Sequence, residues 1–198
     1  MQADKFNKTM ARQKASVDAG IERASQEQSV IVLLTGDGKG KTTSGFGMVF
    51  RALGYGQRVA VVQFIKGTQA SGEELLLRNN FPEVPLVQMG TGFTWDTQNH
   101  AADQAAAVST WQAAGAFLKN PSLDVLLLDE LTYMLAYKFL DEASVLSALH
   151  QRSPQLSVII TGRGGGTGLR ELADTVSEVK NVKHAYDAGI KARLGIDY

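Results

Sequence analysis

The sequence contains no cysteine. This absence excludes disulfides, thiolate zinc sites, iron–sulfur clusters and cysteine nucleophiles. Long apolar runs are absent too, since the longest, Val30–Leu34 and Val125–Leu128, are far shorter than the roughly 20 residues that a membrane-spanning helix needs. Residues 1–29 carry charges of both signs and no apolar core segment, so they do not form a secretory signal. We therefore expect a soluble cytoplasmic protein with no membrane partner.

Neither sign of charge is in excess, because 20 Lys and Arg residues balance 20 Asp and Glu residues. A chain without a basic surplus has little general attraction for the phosphates of nucleic acids, so no nucleic-acid partner is expected. Hydrophobic residues make up 44% of the 198 positions and charged residues 20%, which is ordinary for a folded globular chain. Domains typically have about 150 residues, so this length predicts one domain with a small appendage.

Glycine, by contrast, is abundant, at 20 of 198 residues against the ~7% that is typical. Many of the glycines cluster at 36–47, 54–56, 90–92 and 162–168, between runs of Val, Ile and Leu and segments of helical periodicity. This alternation predicts an α/β fold with a mainly parallel sheet covered by helices on both faces. Ligands bind such sheets beyond the carboxyl ends of the strands, which is where these glycines are expected.

Two parts are predicted along the chain. Residues 1–29 form a polar helical arm whose few apolar side chains fall near one face: Phe6, Met10, Val17 and Ile21. This stripe is too thin to fold alone, so the arm is either a frayed terminus or a segment that docks on the body or on a second subunit. Residues 30–198 form the main, ligand-binding domain.

Strands of the main domain are predicted at Val30–Thr35, Arg58–Ile65, Leu86–Met89, Leu123–Leu128, Ser157–Thr161 and near Val176–Val179. The helix after the first strand is expected to end at Gly54, and Ser71 with Glu74 has the form of a capping box. An Ala-rich helix is predicted at 100–119, and another around Val145–Leu149. The side of the Ala-rich helix expected to face the core comprises Ala101, Ala105, Val108, Trp111, Gly115 and Leu118.

A phosphate-binding loop is predicted between the first strand and the first helix of this domain. Its expected nucleotide-binding residues are Gly36, Asp37, Gly38, Lys39, Gly40, Lys41, Thr42 and Thr43. Backbone N–H groups of such a loop favour negative charge, Lys41 adds a catalytic positive charge, and the Thr42 hydroxyl is suited to bind Mg²⁺. Only three residues separate Gly36 from Gly40, so the spacing departs from the usual one, and Thr35 stands in place of the first glycine.

An acidic pair, Asp129 and Glu130, follows the hydrophobic strand at Leu123–Leu128, as expected of a Walker B motif. Both carboxylates are candidate Mg²⁺ ligands together with Thr42. Glu130 is also a candidate catalytic residue, since it could polarise an attacking water, as in many ATPases, or accept a proton from a substrate hydroxyl, as in kinases.

Phe93 and Trp95 place two large aromatic side chains in a polar loop flanked by glycine. Exposed rings at a ligand-facing strand end are unfavourable unless they meet an apolar partner, so both are candidates for stacking on a flat substrate. Packing within the protein is the alternative. Arg163, at a later strand end, is expected either to bind a phosphate or to brace its own loop.

Several segments together resemble one family, the P-loop-type ATP:corrinoid adenosyltransferases. The matching segments are Thr35–Thr43, Val61–Gly67, Thr91–Asn99, Leu127–Tyr133, Ile159–Gly164, Ala173–Glu178, Lys183–Ala192 and Gly195–Tyr198. They run in order through nearly all of 30–198, and the aromatic loop and the tail are the most specific of them. The short spacing between Gly36 and Gly40 is the family's own form.

The resemblance implies a RecA-like P-loop fold, usually dimeric, in an enzyme that transfers the 5′-deoxyadenosyl group of ATP to the cobalt(I) of a reduced corrinoid. The corrinoid would be cobalamin, cobinamide or cobyrinic acid a,c-diamide, in adenosylcobalamin biosynthesis or salvage. Mg²⁺ would be required, triphosphate would leave, and ATP would lie in the loop in a reversed sense that presents its C5′. A reduced flavoprotein would supply the electrons.

The resemblance further implies that Phe93 and Trp95 belong to a pocket that keeps the lower axial ligand off cobalt and so eases its reduction. The main rival hypothesis is a P-loop ATPase or kinase in which Glu130 activates water or a hydroxyl. A nucleotide-dependent regulatory or RNA-binding module is a third hypothesis, which the zero net charge weakens.

Overall fold

The computed structural model of the protein describes residues 2–65, 69–90 and 99–198. Six strands in these ranges form one sheet: β1 (Ile31–Thr35), β2 (Val59–Gln63), β3 (Leu86–Gln88), β4 (Val125–Asp129), β5 (Ser157–Thr161) and β6 (Thr175–Glu178). They lie in the order β3-β2-β4-β5-β1-β6, and all neighbours are parallel. The predicted parallel sheet is confirmed, with each strand within a few residues of its predicted bounds.

The described residues also form the α-helices α1 (Gln2–Arg23), α2 (Lys41–Gly54), α3 (Gly72–Asn80), α4 (His100–Leu118), α5 (Leu131–Ala136), α6 (Glu142–His150) and α7 (Gly166–Leu172). Helix α1 corresponds to the predicted arm, and its apolar side chains, Phe6, Met10, Val17 and Ile21, lie in solvent. Helix α5 was not predicted, because its six residues are too few for periodicity to reveal. None of the described helices is both long enough and apolar enough to cross a membrane.

Helices cover both faces of the sheet because its central strands are apolar at nearly every position. On one face α2 and α3 pack against alternate strand residues such as Val61 and Leu127. On the other face α4 to α7 pack against residues of the opposite parity, such as Val62 and Leu128. All four of these side chains are completely buried, and each such burial stabilises the fold by roughly 1.5–3 kcal/mol.

The orientation of α4 differs from the prediction. Its buried residues are Asp103, Ala107, Thr110, Ala114 and Leu118. Much of the face that the sequence favoured lies in solvent instead, including Ala101, Ala105 and Val108. The physical reason is that alanine occurs on every side of this helix, so the apolar pattern has almost no contrast from which a buried face could be chosen.

The strand order decides which loops meet at the carboxyl edge of the sheet. Strand β5 lies between β1 and β4. The loop that follows β1 and the acidic pair that ends β4 are therefore separated by the width of one strand. Strand β6 lies on the other side of β1, so the chain that continues β6 runs beside the same loop.

Candidate active site

The phosphate loop (36–43) rests on the chain that continues β6. Gly38 donates its N–H to the carbonyl oxygen of Val179 at 2.7 Å. A Cβ at Gly38 would lie 2.7 Å from the backbone of Lys180, so a larger residue would force the loop away from this support. Gly40, immediately before α2, has a φ of +115°, a conformation that residues with a side chain rarely adopt. Gly38 and Gly40 are thus required for two different structural reasons, a close backbone approach and a positive φ.

Lys41 begins α2 and is buried, with only 7% of its surface exposed. Its ammonium group donates to the carbonyl oxygen of Gly38 at 2.8 Å. Burial lowers the pKa of Lys41, and the negative charge of Glu130 opposes this shift. A buried ammonium adds to the positive potential of the unpaired N–H groups at the start of α2, so this loop attracts an anion such as phosphate.

Asp129 is 2% exposed, and each of its carboxylate oxygens accepts a hydrogen bond. The hydroxyl of Thr161 donates to Oδ1 at 2.6 Å, and Nε2 of Gln63 donates to Oδ2 at 3.0 Å. Burial raises the pKa of Asp129, while these donors and the nearby Thr42 hydroxyl stabilise the ionised form. The Asp129 carboxylate is therefore held in one orientation at the end of β4.

Glu130 has a left-handed backbone, with a φ of +61°, at the turn from β4 into α5. Its N–H donates to the Thr161 hydroxyl at 3.0 Å, whereas its carboxylate oxygen Oε2 is buried without a hydrogen-bond partner among the described residues. Burial and the charge of Asp129 raise the pKa of Glu130 to about 7, against the opposing charges of Lys41 and Arg163. A strained backbone and an unsatisfied buried oxygen both indicate a functional position.

The predicted metal ligands fit a hard divalent cation. Thr42, Asp129 and Glu130 supply oxygen atoms only, and Mg²⁺ is commonly held by one or two carboxylates together with the phosphates of a nucleotide. The unpaired oxygen of Glu130 is an atom that a bound cation would satisfy. Asp129 already accepts one hydrogen bond on each carboxylate oxygen, so it has less free capacity for a cation than Glu130.

The loop after β5 lies beside the acidic pair. The Thr132 hydroxyl donates to the carbonyl oxygen of Arg163 at 2.8 Å, and the Thr35 hydroxyl donates to that of Gly164 at 2.6 Å. These bonds brace the backbone of the loop, while Arg163 is exposed and its charge lowers the pKa of Glu130. The loop is therefore held by neighbouring hydroxyls, which leaves the Arg163 guanidinium available to an anion.

A family model described as ATP:corrinoid adenosyltransferase BtuR/CobO/CobP matches residues 27–198. The chain belongs to this family. It is 51% identical to the corrinoid adenosyltransferase of Escherichia coli (strain K12) and 49% identical to corrinoid adenosyltransferase CobA of Salmonella typhimurium (strain LT2), over 100% of each chain. A corrinoid adenosyltransferase of Pseudomonas aeruginosa is 45% identical over 96% of this chain and 93% of that relative. The family resemblance inferred from the sequence is confirmed.

The aromatic pair predicted for the adenosyltransferase site, Phe93 and Trp95, lies outside the described residues. The segments that flank this pair are described. Met89, after β3, donates its N–H to the carbonyl oxygen of Gln63 at 2.9 Å, and the side chain of Asn99 caps the start of α4. Both ends of the aromatic loop are therefore anchored, one of them at the carboxyl edge of the sheet.

An aromatic cluster that the sequence analysis did not single out follows the acidic pair. The rings of Tyr133 and Tyr137 are 5.7 Å apart, those of Tyr137 and Phe139 are 5.7 Å apart, and His100 meets Phe139 edge-on at 5.0 Å. His100 begins α4, so the cluster adjoins one end of the aromatic loop. Tyr133 donates its N–H to the carbonyl oxygen of Glu130 at 3.3 Å, so the cluster lies next to the acidic pair, and burial together with the charge of Glu130 raises the pKa of Tyr133.

Two further contacts of the site were not indicated by the motifs. Gln63, which donates to Asp129, was included in a family segment but not predicted as a site residue. The pairing register is what identifies Gln63, because this residue ends β2 and pairs with Asp129 on the neighbouring strand β4. Lys39 of the phosphate loop forms an ion pair with Asp197 at 2.9 Å. Hydrogen bonds from Lys39 and from the N–H of Arg193 lower the pKa of Asp197, so the tail of the adenosyltransferase chain returns to the loop.

Proposed function

We propose that the protein transfers the 5′-deoxyadenosyl group of ATP to the cobalt(I) of a reduced corrinoid and releases triphosphate. The observation that carries this proposal is its full-length identity of 51% with a corrinoid adenosyltransferase. The site agrees with it, since the phosphate loop, Lys41 and the acidic pair meet at one edge of the sheet. The relatives at 45–51% identity reported above are all corrinoid adenosyltransferases, which favours this reaction over the main rival hypothesis, a P-loop ATPase or kinase.

In this reaction the protein has to bind and orient two substrates. Cobalt(I) is a strong nucleophile, so a bond forms between cobalt and C5′ while the bond between C5′ and the triphosphate oxygen breaks, and no protein base is required. The protein's contribution is to hold C5′ in line with cobalt. The loop N–H groups and Lys41 stabilise the negative charge that grows on the departing triphosphate.

The cation is proposed to be Mg²⁺, bound by Thr42 and the acidic pair Asp129 and Glu130 together with the phosphates. Bound Mg²⁺ would stabilise negative charge on the leaving group as a Lewis acid. The eight loop residues from Gly36 to Thr43 are proposed to bind ATP. Phe93 and Trp95 are proposed to meet the apolar face of the corrin, and the cluster around Tyr137 extends the aromatic surface available to it.

Other features of the proposal concern the whole protein. We propose a homodimer that acts in the cytoplasm, with residues 1–29 as an arm and 30–198 as the nucleotide- and corrinoid-binding domain. The corrinoid substrate is cobalamin, cobinamide or cobyrinic acid a,c-diamide, and a reduced flavoprotein is the electron donor, consistent with the absence of cysteine for an intrinsic iron–sulfur centre.

The identity of the products tests the proposed function. The purified protein is incubated with Mg-ATP and chemically reduced cobalamin, and the products are separated by chromatography. We expect adenosylcobalamin and inorganic triphosphate in equal amounts. Formation of ADP and phosphate at the same rate with and without the corrinoid would instead support an ATPase.

A further inference from the structure

A row of hydrogen bonds runs from the exposed side of α3 to the buried carboxylate of Asp129. Arg78 donates through Nε to Glu74 and through Nη2 to Oε1 of Gln88, both at 2.9 Å. Nε2 of Gln88 donates to Oε1 of Gln63 at 2.9 Å, and Nε2 of Gln63 donates to Oδ2 of Asp129 at 3.0 Å. We call Arg78, Gln88 and Gln63 the donor relay.

The register of the sheet explains why these side chains meet. Gln63 is the pairing partner of Gln88 on β3 and of Asp129 on β4. Register partners on neighbouring strands project from the same face at the same level, so the three form one line across the sheet. Burial increases along this line, since Arg78 is exposed, Gln88 is half-buried and Gln63 is 2% exposed. The bond to Asp129 therefore lies where a missing donor is most unfavourable.

The relay has a direction, which its two ends determine. A guanidinium can only donate hydrogen bonds, so Gln88 must turn its carbonyl oxygen toward Arg78 and its NH₂ group toward Gln63. Gln63 must then turn its own carbonyl toward Gln88 and its NH₂ group toward Asp129. An ionised carboxylate can only accept, so this orientation is also the one that Asp129 requires. Arg78 thus selects the orientation of both amides.

We propose that Arg78, Gln88 and Gln63 are positioning residues that hold the Asp129 carboxylate in one orientation at the site where the phosphate loop and the acidic pair would bind a divalent cation. This inference rests on the proposed function in one respect only, namely that the phosphate loop binds Mg-ATP. Hydrogen-bond partners one step removed from a metal ligand typically change metal affinity about 10–100-fold when they are lost.

Gln88→Glu tests the direction of the relay without disturbing packing. Glutamate has the same shape as glutamine and forms an ion pair with Arg78, but it cannot donate to Gln63. If Gln63 keeps its orientation, its carbonyl oxygen faces the new carboxylate at position 88. If its amide turns over, its carbonyl oxygen faces the carboxylate of Asp129 instead. A simple charge effect would act in the opposite sense, because an added negative charge near the site attracts Mg²⁺.

The measured quantity is the Mg²⁺ concentration that gives half of the maximal rise in melting temperature at saturating ATP, which requires no turnover. We expect this concentration to rise severalfold in Gln88→Glu, because Gln88 acts on Asp129 through Gln63. The melting temperature of the unliganded protein should fall by only a few degrees, since the new ion pair with Arg78 offsets part of the repulsion between the acceptor oxygens. Gln57→Glu, which adds the same charge at an exposed turn before β2, is the matched control and should leave the concentration unchanged.

Arg78→Met and Arg78→Lys form a second, independent pair at an exposed position. Arg78→Met removes the residue that orients both amides and should raise the half-saturating Mg²⁺ concentration severalfold. Arg78→Lys keeps a side chain that can only donate hydrogen bonds, so this concentration should stay close to the wild-type value. The inference would be overturned if the half-saturating Mg²⁺ concentration in both Gln88→Glu and Arg78→Met were equal to or below that of the wild type. Wild-type protein that ATP fails to stabilise at any Mg²⁺ concentration would contradict the proposed function itself, and the inference with it.

Discussion

Two lysines of the phosphate loop, separated by a single residue, differ in their exposure to solvent. Lys41 is buried and bonded to the carbonyl of Gly38, whereas Lys39 is half exposed and pairs with Asp197 in the tail. A charge that is removed from water interacts more strongly with a phosphate than one that solvent screens. The side chain of Lys41 is thus expected to be essential, whereas that of Lys39 is expected to contribute much less.

Lys41→Ala and Thr42→Ala should each lower adenosyl transfer by at least about 100-fold, because they remove charge stabilisation of triphosphate or the proposed cation ligand. Lys39→Ala is the control and should lower it only a few-fold. Rates are measured as adenosylcobalamin formed from chemically reduced cobalamin, and circular dichroism checks that each variant is folded. Near-normal turnover in Lys41→Ala or Thr42→Ala would remove the phosphate loop from the mechanism.

The raised pKa of Glu130 predicts that the stability of the protein depends on pH. Its pKa in the folded protein is raised from 4.5 to about 7, so the folded state binds this proton more tightly than the unfolded state does. The favourable contribution of this group is therefore complete below about pH 4.5 and is lost as the pH rises through about 7. At pH 8 the buried charge should destabilise the protein by on the order of 1–3 kcal/mol.

Glu130→Gln removes that charge, so without nucleotide or metal it should melt at a higher temperature than the wild type at pH 8. The difference should shrink or vanish at pH 5, and adenosyl transfer should be lost at both pH values. Melting curves in the presence of a chelator are the measurement, with the exposed Glu171→Gln as control for the loss of one charge. A difference in melting temperature that is the same at both pH values would refute the assignment.

At the level of single residues, the sequence predicted the members of motifs and missed their supports. Lys41, Asp129 and Glu130 could be placed because each has a fixed position relative to a strand end. Gln63 could not be placed in the same way, because its role depends on which strand lies beside β4, and that order is a property of the whole sheet. The orphaned oxygen of Glu130 likewise depends on packing that no local pattern contains.

At the level of elements, contrast in the apolar pattern decided what could be predicted. Strand β5 was predicted with its exact bounds, Ser157–Thr161, since Val and Ile dominate it and glycine follows. The boundaries of α4 were also predicted to within a residue, but its buried face was not. A helix with alanine on every side has high helical propensity and little contrast between its faces, so its length can be predicted from the sequence but its rotation cannot.

The observed rotation of α4 has a direct test. Ala107 is completely buried against the sheet, whereas Ala105 lies in solvent. Ala107→Leu should therefore overpack the core and lower the free energy of unfolding by about 1–3 kcal/mol, while Ala105→Leu should change it by less than about 0.5 kcal/mol. Urea denaturation midpoints distinguish the two variants. The reverse order of effects would mean that the face favoured by the sequence is the buried one.

At the level of the whole molecule, apolar side chains remain exposed at both ends of the chain. They include Phe6 and Ile21 in α1, and Val182, Tyr186 and Leu194 in the tail. The central domain, by contrast, buries most of its large apolar residues in two layers on either side of the sheet. Exposed apolar residues concentrated in two terminal segments favour contacts outside the central domain, in keeping with the proposed homodimer.

Deleting residues 1–25 tests what the arm does. Because its apolar side chains are exposed, the deletion should change the melting temperature by only a few degrees. If the arm covers the active site of the same or a neighbouring subunit, KM for the corrinoid should rise severalfold, and more than KM for ATP. Steady-state kinetics with each substrate varied in turn are the measurement. Unchanged kinetics with both substrates would identify the arm as a frayed terminus.

The reaction as a whole requires that ATP and the corrinoid be handled by different parts of the molecule. The phosphate loop and the acidic pair bind charge, whereas the aromatic loop between Gly90 and Asn99 offers the rings of Phe93 and Trp95. If these rings displace the lower axial ligand of cobalt, they act before the transfer step, when cobalt(II) is reduced. Their loss should then spare Mg-ATP binding and affect mainly the reduction.

Phe93→Ala and Trp95→Ala should therefore lower adenosylcorrinoid formation most, by at least about tenfold, when cobalt(II) must be reduced on the enzyme by a reduced flavoprotein. The loss should be much smaller when cobalt(I) is generated chemically beforehand, because the displaced ligand no longer matters and only apolar contact with the corrin is lost. Product formation is measured under both conditions, with melting curves alongside. If the rings only pack within the protein, their removal should lower the melting temperature and reduce both activities equally. That outcome would exclude a role for the aromatic loop in cobalt reduction.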